Sequence, residues 1–124
     1  MAGAPAIGTL RARRLAGGKA FARVFREGRR YSGVHVQVIA AAASDNGAGS
    51  GRLGYIIPKQ HFRRAVDRNY VRRILREALR QRRLALGSFD IVMRVRAGCP
   101  RAALAALAAE TAGLLDALAV AASR

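Results

Sequence analysis

The sequence has few of the side chains from which disulfide bonds and metal sites are built. Cys99 is the only cysteine among the 124 residues, and neither His35 nor His61 stands near it at the spacing of metal ligands. An intrachain disulfide is therefore excluded, and a cofactor bound by the protein alone has no support in the sequence. A single cysteine suits a reducing compartment, so we expect the protein to be cytoplasmic.

Acidic side chains are also scarce. Seven Asp and Glu residues stand against 23 Lys and Arg residues, which gives a formal net charge of +16. The acidic residues are scattered singly, so a two-metal nuclease centre, which needs convergent carboxylates, is not indicated. A charge of this size repels itself in the folded state unless a polyanion lies against it, so we expect a nucleic-acid partner. Nearly all the basic residues are Arg, which favours phosphate contacts, although GC-rich codon usage would produce the same bias.

Long apolar runs are limited to one segment. No apolar run precedes the first arginines, so no signal peptide is visible. The Ala-rich segment 102–122 has the length of a membrane span, but it contains Glu110, Gly113 and Asp116. We interpret it as a helix of a soluble domain and expect no membrane partner.

The chain divides into a basic arm and one α/β domain. Residues 1–18 end at Gly17-Gly18 and are expected to form a flexible basic N-terminal arm. Residues 19–98 form the predicted RNA-binding α/β domain. Residues 99–124 are an Ala/Leu-rich C-terminal helix that should pack on the same domain.

Apolar periodicity predicts the elements of this domain. Helical spacing predicts a short helix at 19–27, and period-two alternation predicts strands at 31–42, 52–57 and 89–95. A turn-rich segment joins the first two strands, which should then pair antiparallel. The predicted class is α+β, an α/β sandwich of about three helices on a small mixed sheet, in the order α-β-β-(β)-α-β-α. The sheet has three or four strands, depending on whether Tyr31-Ser32 forms a strand of its own.

The longest predicted helix, from about residue 64 to 84, has an outer face that is almost entirely positive. Like charges four residues apart destabilise a helix by roughly a few tenths of a kcal/mol, yet positions 68, 72, 76 and 80 are all Arg. Arg63 and Arg64 also oppose the helix dipole, which favours an anion at this end. A bound polyanion would reward both features. The predicted RNA-binding residues are Arg63, Arg64, Arg68, Asn69, Arg72, Arg73, Arg76 and Arg80.

Two long stretches of the sequence resemble the protein component of bacterial ribonuclease P. The first is RLGYIIPK at residues 52–59, and the second is RAVDRNYVRRILRE at residues 64–77. In addition, FARVFREG at residues 21–28 and GSFDIV at residues 87–92 resemble that family's first helix and last strand. The resemblance covers roughly residues 10–97.

This resemblance implies the subunit of a ribonucleoprotein endonuclease, a hydrolase that removes the 5′ leader from precursor tRNA during tRNA processing. Catalysis would reside in the RNA subunit with its Mg²⁺ ions, and the protein alone would be inactive. The implied partners are the catalytic RNA, in a 1:1 complex, and precursor tRNA, with no protein partner. The resemblance also implies a left-handed β-α-β crossover.

The resemblance assigns residues to two surfaces. Tyr70 and Gln60 depart from it, because many members are basic at those positions, and we expect weaker contacts there. Arg68, Asn69, Arg72, Arg73 and Arg76 match the helix that contacts the catalytic RNA, and Phe21, Phe25, His35, Gln37 and Lys59 fall on or beside a groove for the single-stranded leader.

Other interpretations of the sequence stay open at this point. A ribosomal or assembly protein could use the same helix on another RNA, and a DNA-binding protein could place it in a major groove, although arginines along its whole length favour backbone contacts. A metal-free protein ribonuclease would have to use His35, His61 and Lys59. For Phe21 and Phe25 the alternative is a purely structural role in the core.

Overall fold

The computed structural model describes residues 13–43 and 51–123. Within these ranges a mixed five-stranded sheet packs with four helices, so the predicted α+β class is confirmed. In chain order the elements are β1 (Arg13–Arg14), α1 (Gly18–Glu27), β2 (Arg29–Ser32), β3 (Val36–Ala42), β4 (Arg52–Ile56), α2 (Ala65–Arg80), α3 (Arg83–Leu86), β5 (Phe89–Val95) and α4 (Leu104–Ala122), with a 3-10 turn at Arg101–Ala103 before α4.

The strands lie in the order β1-β4-β5-β3-β2. Strand β5 pairs antiparallel with β3 and parallel with β4, so it separates the two strands that were expected to pair directly. That predicted antiparallel pairing is wrong. The reason lies in β5 itself, because Asp90, Ile91, Val92 and Met93 are all buried, and a strand covered on both faces belongs in the centre of a sheet.

The predicted strand 31–42 consists of two strands. Strands β2 and β3 pair antiparallel, and the N–H of Gly33 donates to the carbonyl of Val36 over 2.8 Å to close the turn between them. Val34, which lies within the predicted strand, is part of this turn and is 75% exposed. Tyr31-Ser32 therefore belongs to a separate strand, as the four-strand alternative required.

A further short strand comes from the segment predicted as a flexible arm. Strand β1 pairs parallel with β4, and the following Leu15 is buried. The fold therefore includes residues before the predicted boundary at 18. Residues 1–12 of the predicted arm, and 44–50 of the predicted turn, lie outside the described residues.

Helix α1 covers one face of the sheet. Val24 of α1 is fully buried against Ile39 of β3 and Val92 of β5, and Phe21 and Phe25 pack at the margin of this cluster. Amphipathic spacing in α1 and alternation in the strands bring these side chains together.

Helices α2 and α4 cover the opposite face. Val71 and Leu75 of α2, and Leu107 and Leu115 of α4, are fully buried against the sheet core. Arg101–Ala122 is the one helix of the described part that is long and apolar enough to cross a membrane, by length and composition only.

Strands β4 and β5 are adjacent, parallel and joined through α2, which gives the β-α-β unit that the resemblance implies. Its left-handed sense stays a prediction. The helix predicted to run to about residue 84 ends at Arg80, and the separate helix α3 follows. The crossover places the arginine-rich helix behind β4 and β5, with its outer side in solvent.

Candidate nucleic-acid interface

The outer side of α2 carries the cations that its periodicity predicted. Asn69, Arg73, Arg76 and Arg80 are exposed, and Arg72 is half-buried at the margin of the sheet. We call these five residues the arginine face. Asn69, Arg73, Arg76 and Arg80 point away from the buried side of the helix, which is formed by Val71, Leu75, Ala78 and Leu79, and Arg72 lies at the boundary between the two sides.

Intramolecular bonds order part of this face. Arg72 donates from Nη1 to Oδ1 of Asn69 over 2.8 Å, and Arg80 forms an ion pair with Glu77, with Nη2 and Oε2 2.6 Å apart. Among the described residues Arg73 and Arg76 have no hydrogen-bond or ion-pair partner. The face therefore presents at least two cations without a hydrogen-bond or ion-pair partner in the described fold, although Glu77 lies close enough to Arg76 to interact with its charge.

The N-terminal end of α2 is positively charged, but one of its arginines is hydrogen-bonded to the protein backbone. Arg63 and Arg64 are exposed, and Arg64 begins the helix without a side-chain cap. Arg68 is half-buried and donates from Nη1 to the carbonyls of Phe62 and Arg63, at 2.9 and 2.7 Å. Arg68 thus braces the loop before the helix, a role that sequence reasoning missed.

A buried phenol lies under the arginine face. The hydroxyl of Tyr55 is inaccessible and has no hydrogen-bond partner in the described part of the chain. Burial raises the pKa of Tyr55 to about 12, although Arg76 and Arg72 lower it. The phenol is therefore neutral and does not offset the positive charge above it.

Helix α1 and the sheet form a second candidate surface. Phe21 lies against Gly54 of β4, and Phe25 lies under Arg30, whose guanidinium carbon is 5.5 Å from the ring centroid. Both rings are half-exposed while they contact the core. The structural and binding interpretations of the two phenylalanines are therefore compatible.

Beyond α1 the sheet presents a row of four side chains on the same face. Strand register places Gln37 opposite Ser32 on one side and Arg94 on the other, and Arg94 is also opposite Ile56. Gln37 donates from Nε2 to Oγ of Ser32 over 3.0 Å. We call these four residues the open row. Arg94 was not among the predicted site residues, although the alternation of β5 places it opposite the core side chains.

His35 and Lys59 belong neither to α1 nor to the open row. His35 precedes β3 and is held by Glu110 of α4, with Nδ1 and Oε1 3.0 Å apart, so it contacts the helix on the other face of the sheet. Lys59 is exposed in the turn that follows β4. The structure therefore does not bring His35 together with Phe21 and Phe25, as the groove assignment required.

Glu110 receives three hydrogen bonds from the β2–β3 turn. The backbone N–H groups of His35 and Val36 donate to Oε2 over 2.7 and 2.6 Å, in addition to the contact of the His35 ring. Burial would raise the pKa of Glu110, but these bonds outweigh it and lower the pKa. The carboxylate thus connects the hairpin to α4.

Asp90 connects α1 to the sheet. It is fully buried and accepts from Arg23 of α1 at 2.5 Å and from Arg52 of β4 at 2.9 Å. Burial would raise the pKa of Asp90, but the hydrogen bonds from Arg52 and Arg23 outweigh it and lower the pKa. The group is committed to holding α1 in place. Within the described ranges, no three His, Cys, Asp or Glu side chains lie together as metal ligands would.

Known proteins share both the sequence and the fold. The sequence model of the family Ribonuclease P matches residues 10–119. The ribonuclease P protein component of Nitrosococcus oceani is 38% identical over 95 residues, which cover 77% of each chain. That of Bordetella parapertussis is 39% identical over 82 residues, covering 66% of this chain and 67% of the relative.

Two solved structures share the fold. The RNase P protein of Staphylococcus aureus superimposes with a TM-score of 0.66 at 22% identity, covering 89% of this chain and 95% of the other. The RNase P protein of Thermotoga maritima gives 0.63 at 22% identity, covering 82% and 94%. At this identity the two structures support the architecture alone.

Proposed function

The chain belongs to the ribonuclease P protein family, and from this premise we propose that it binds the catalytic RNA of ribonuclease P through the arginine face and the 5′ leader of precursor tRNA through a groove beside α1. The family's role is processing of the tRNA 5′ end. The protein's contribution is binding, and the chemistry belongs to the RNA subunit with its Mg²⁺ ions.

The observation that carries this proposal is the excess of positive charge on the outer side of α2. Arg73 and Arg76 project into solvent without hydrogen-bond or ion-pair partners among the described residues, and Tyr55, which lies near Arg76, is neutral. Cations spaced along a helix, rather than concentrated at a few positions, suit contact with successive phosphates of a folded RNA. Phosphate neutralisation also supplies most of the affinity of such interfaces.

The groove supports the second half of the proposal. Single-stranded RNA is bound where bases can stack on aromatic side chains while nearby cations neutralise the backbone. Phe21 and Phe25 offer half-exposed rings on α1, and Gln37 offers a polar group on the adjoining sheet face. Lys59 is exposed at the end of β4, where it adds positive charge.

The test is cleavage of a precursor tRNA at low Mg²⁺ concentration. Three reactions are compared: bacterial ribonuclease P RNA alone, this protein alone, and both together at a 1:1 ratio. We expect the mature 5′ end chiefly from the combined reaction, because the protein's cations replace part of the metal ions that the RNA otherwise needs.

The other outcomes separate the competing functions. If the protein does not increase cleavage, it binds a different RNA and the proposal is wrong. If the protein cleaves alone, a protein active site exists, and His35, His61 and Lys59 are the first residues to replace. A cytoplasmic location follows from the proposed role and is tested by fractionation of cells that express the tagged protein.

A further inference from the structure

Arg94 lies in the middle of the sheet rather than at its rim. It belongs to the central strand β5, between Gln37 of β3 and Ile56 of β4. Of the seven residues of β5 it is the exposed one, whereas the others are buried or half-buried. Among the residues that the structure describes, its guanidinium has no hydrogen-bond or ion-pair partner.

Helix α1 stops short of Arg94. Contacts of Arg23 with Asp90, and of Phe21 with Gly54, place α1 over the two rows of side chains that precede the open row on this face. The next row along the strands is about 7 Å farther on, since side chains on one face repeat every two residues. Arg94 and Gln37 therefore form a floor beside α1, and Phe21 and Phe25 line the adjacent wall.

The neighbours of Arg94 leave its charge available to a ligand. On one side Gln37 is tied to Ser32 by the bond from Nε2 to Oγ, and on the other side Ile56 is aliphatic. The acidic residue nearest along the strand on this face, Asp90, is already paired with Arg23 and Arg52. A cation on a central strand with no carboxylate to pair with fits a phosphate group.

We propose that Arg94 anchors the phosphate backbone of the single-stranded leader in the groove beside α1, and this inference rests on the proposed function. Guanidinium binds phosphate through two parallel N–H donors. A phosphate at Arg94 would direct the attached bases toward the exposed parts of Phe21 and Phe25 on one side and toward the Gln37 amide on the other. Arg94 is thus a leader-binding residue, separate from the arginine face on the opposite side of the sheet.

The test uses the holoenzyme, with Arg94→Gln as the variant and precursor tRNAs whose leaders increase in length. We expect Arg94→Gln to weaken binding of the long-leader precursor about tenfold, the effect of one lost charge-assisted hydrogen bond. A precursor with a one-nucleotide leader should bind both proteins equally. The log-log dependence of long-leader binding on salt should become shallower by about 0.7 for the lost contact. Arg94→Lys should recover part of the affinity.

Arg29→Gln is the matched control. Arg29 is exposed on β2 and pairs with Ala40, so its side chain lies on the opposite face of the sheet. The Arg29→Gln variant removes the same charge from the molecule as Arg94→Gln does, and it should leave leader-dependent binding unchanged. Equal losses for Arg29→Gln and Arg94→Gln would mean that net charge, rather than a contact, is being measured, and would overturn the inference.

Neutral methylphosphonates placed singly along the leader locate the contact. At the linkage that Arg94 binds, the methylphosphonate should weaken binding of the precursor tRNA to the wild-type holoenzyme and have little further effect on its binding to the Arg94→Gln holoenzyme. Arg94 is not a leader contact if the methylphosphonate at every linkage affects both proteins alike. The same holds if Arg94→Gln lowers the affinity for short-leader and long-leader precursors equally. A wild-type protein that does not assist the RNA subunit at all would instead contradict the proposed function, before any variant is compared, and this inference with it.

Discussion

A Cβ atom at Gly54 would lie 2.6 Å from Cζ of Phe21, so the phenylalanine ring of α1 rests directly on the backbone of β4. Any side chain at residue 54 must displace the far end of that ring. Gly54 is therefore part of the proposed groove, although it has no side chain with which to bind RNA.

We predict that Gly54→Ala moves Phe21 and weakens binding of precursor tRNA more than binding of mature tRNA. The free energy of unfolding should fall by only about 1 kcal/mol, because the ring can shift. Gly113→Ala is the control, since a Cβ there meets no atom within 4 Å. Holoenzyme binding to both RNAs measures the effect. Equal losses for the two RNAs would show that Phe21 serves the core alone.

The second prediction concerns the arginine face. The double variant Arg72→Ala, Arg76→Ala should lower the magnitude of the log-log salt slope for catalytic RNA binding by roughly one to two. Each lost phosphate contact should reduce the slope by about 0.9 on a duplex and about 0.7 on a single strand. The control is the double variant Arg26→Ala with Arg29→Ala, which removes the same charge from α1 and β2. An unchanged slope in the α2 variant would exclude this part of the helix from the interface.

The third prediction follows from the buried carboxylate of Asp90. Asp90→Asn should lower the free energy of unfolding at pH 7 by about 3 kcal/mol, since Arg23 and Arg52 lose a buried ionic partner. The pKa of Asp90 is lowered in the folded protein, so the wild type gains stability from ionised Asp90 above the ordinary pKa of Asp, about 4. That gain is lost as the pH falls through the lower folded pKa.

Urea unfolding of both proteins between neutral and acidic pH measures this difference. The two stabilities should converge at the acidic end of the range, where wild-type Asp90 is protonated. A gap that stays constant across the whole pH range would mean that the substituted amide is poorly packed and that ionisation of Asp90 contributes nothing.

The fourth prediction separates His35 from leader binding. Because His35 contacts Glu110 of α4, His35→Ala should destabilise the β2–β3 turn by about 1 kcal/mol. It should weaken the binding of long-leader and short-leader precursor tRNAs equally. Glu110→Gln should cost about 1 to 2 kcal/mol, because it also weakens the bonds from the backbone N–H groups of His35 and Val36. The double variant should lose less than the sum of the single variants. A leader-specific defect in His35→Ala would restore the groove assignment that the resemblance made.

Local patterns were sufficient for much of this architecture. The period of α2 separates Val71 and Leu75 from the arginine face, and the alternation of β5 separates Ile91 and Met93 from Arg94. Both patterns depend on which side of an element faces the core, and that side is recorded in the sequence itself.

Relations between distant segments could not be predicted in this way. Nothing in the local pattern of β3 or β4 indicates that β5, which follows β4 only after the whole of α2 and α3, inserts between them. The Glu110 contact redirects His35 to α4 for the same reason, since it joins residues 75 positions apart. Long-range pairing is decided by the burial of the whole sheet, which single-element periodicity does not contain.

The last prediction concerns a cation that the turn before α4 contributes beside α2. The guanidinium carbon of Arg101 lies 5.3 Å from the ring centroid of Tyr70, and Arg101 donates from Nη1 to Oδ1 of Asp67 over 3.2 Å. Tyr70 is partly exposed on α2, at a position where the resemblance led us to expect a basic residue. Arg101, although it is ion-paired with Asp67, therefore places a guanidinium group beside Tyr70, where α2 itself has no basic side chain.

If that charge serves RNA binding, Arg101→Ala should weaken binding of the catalytic RNA about threefold to tenfold, while the free energy of unfolding changes by no more than about 1 kcal/mol. Adding Tyr70→Arg to Arg101→Ala returns the cation from α2 itself and should restore most of the affinity. Tyr70→Phe keeps the ring and should bind as the wild type does. If the double variant binds the catalytic RNA no better than Arg101→Ala does, a charge restored at this place has no effect. Arg101 would then serve only to hold α4 against α2.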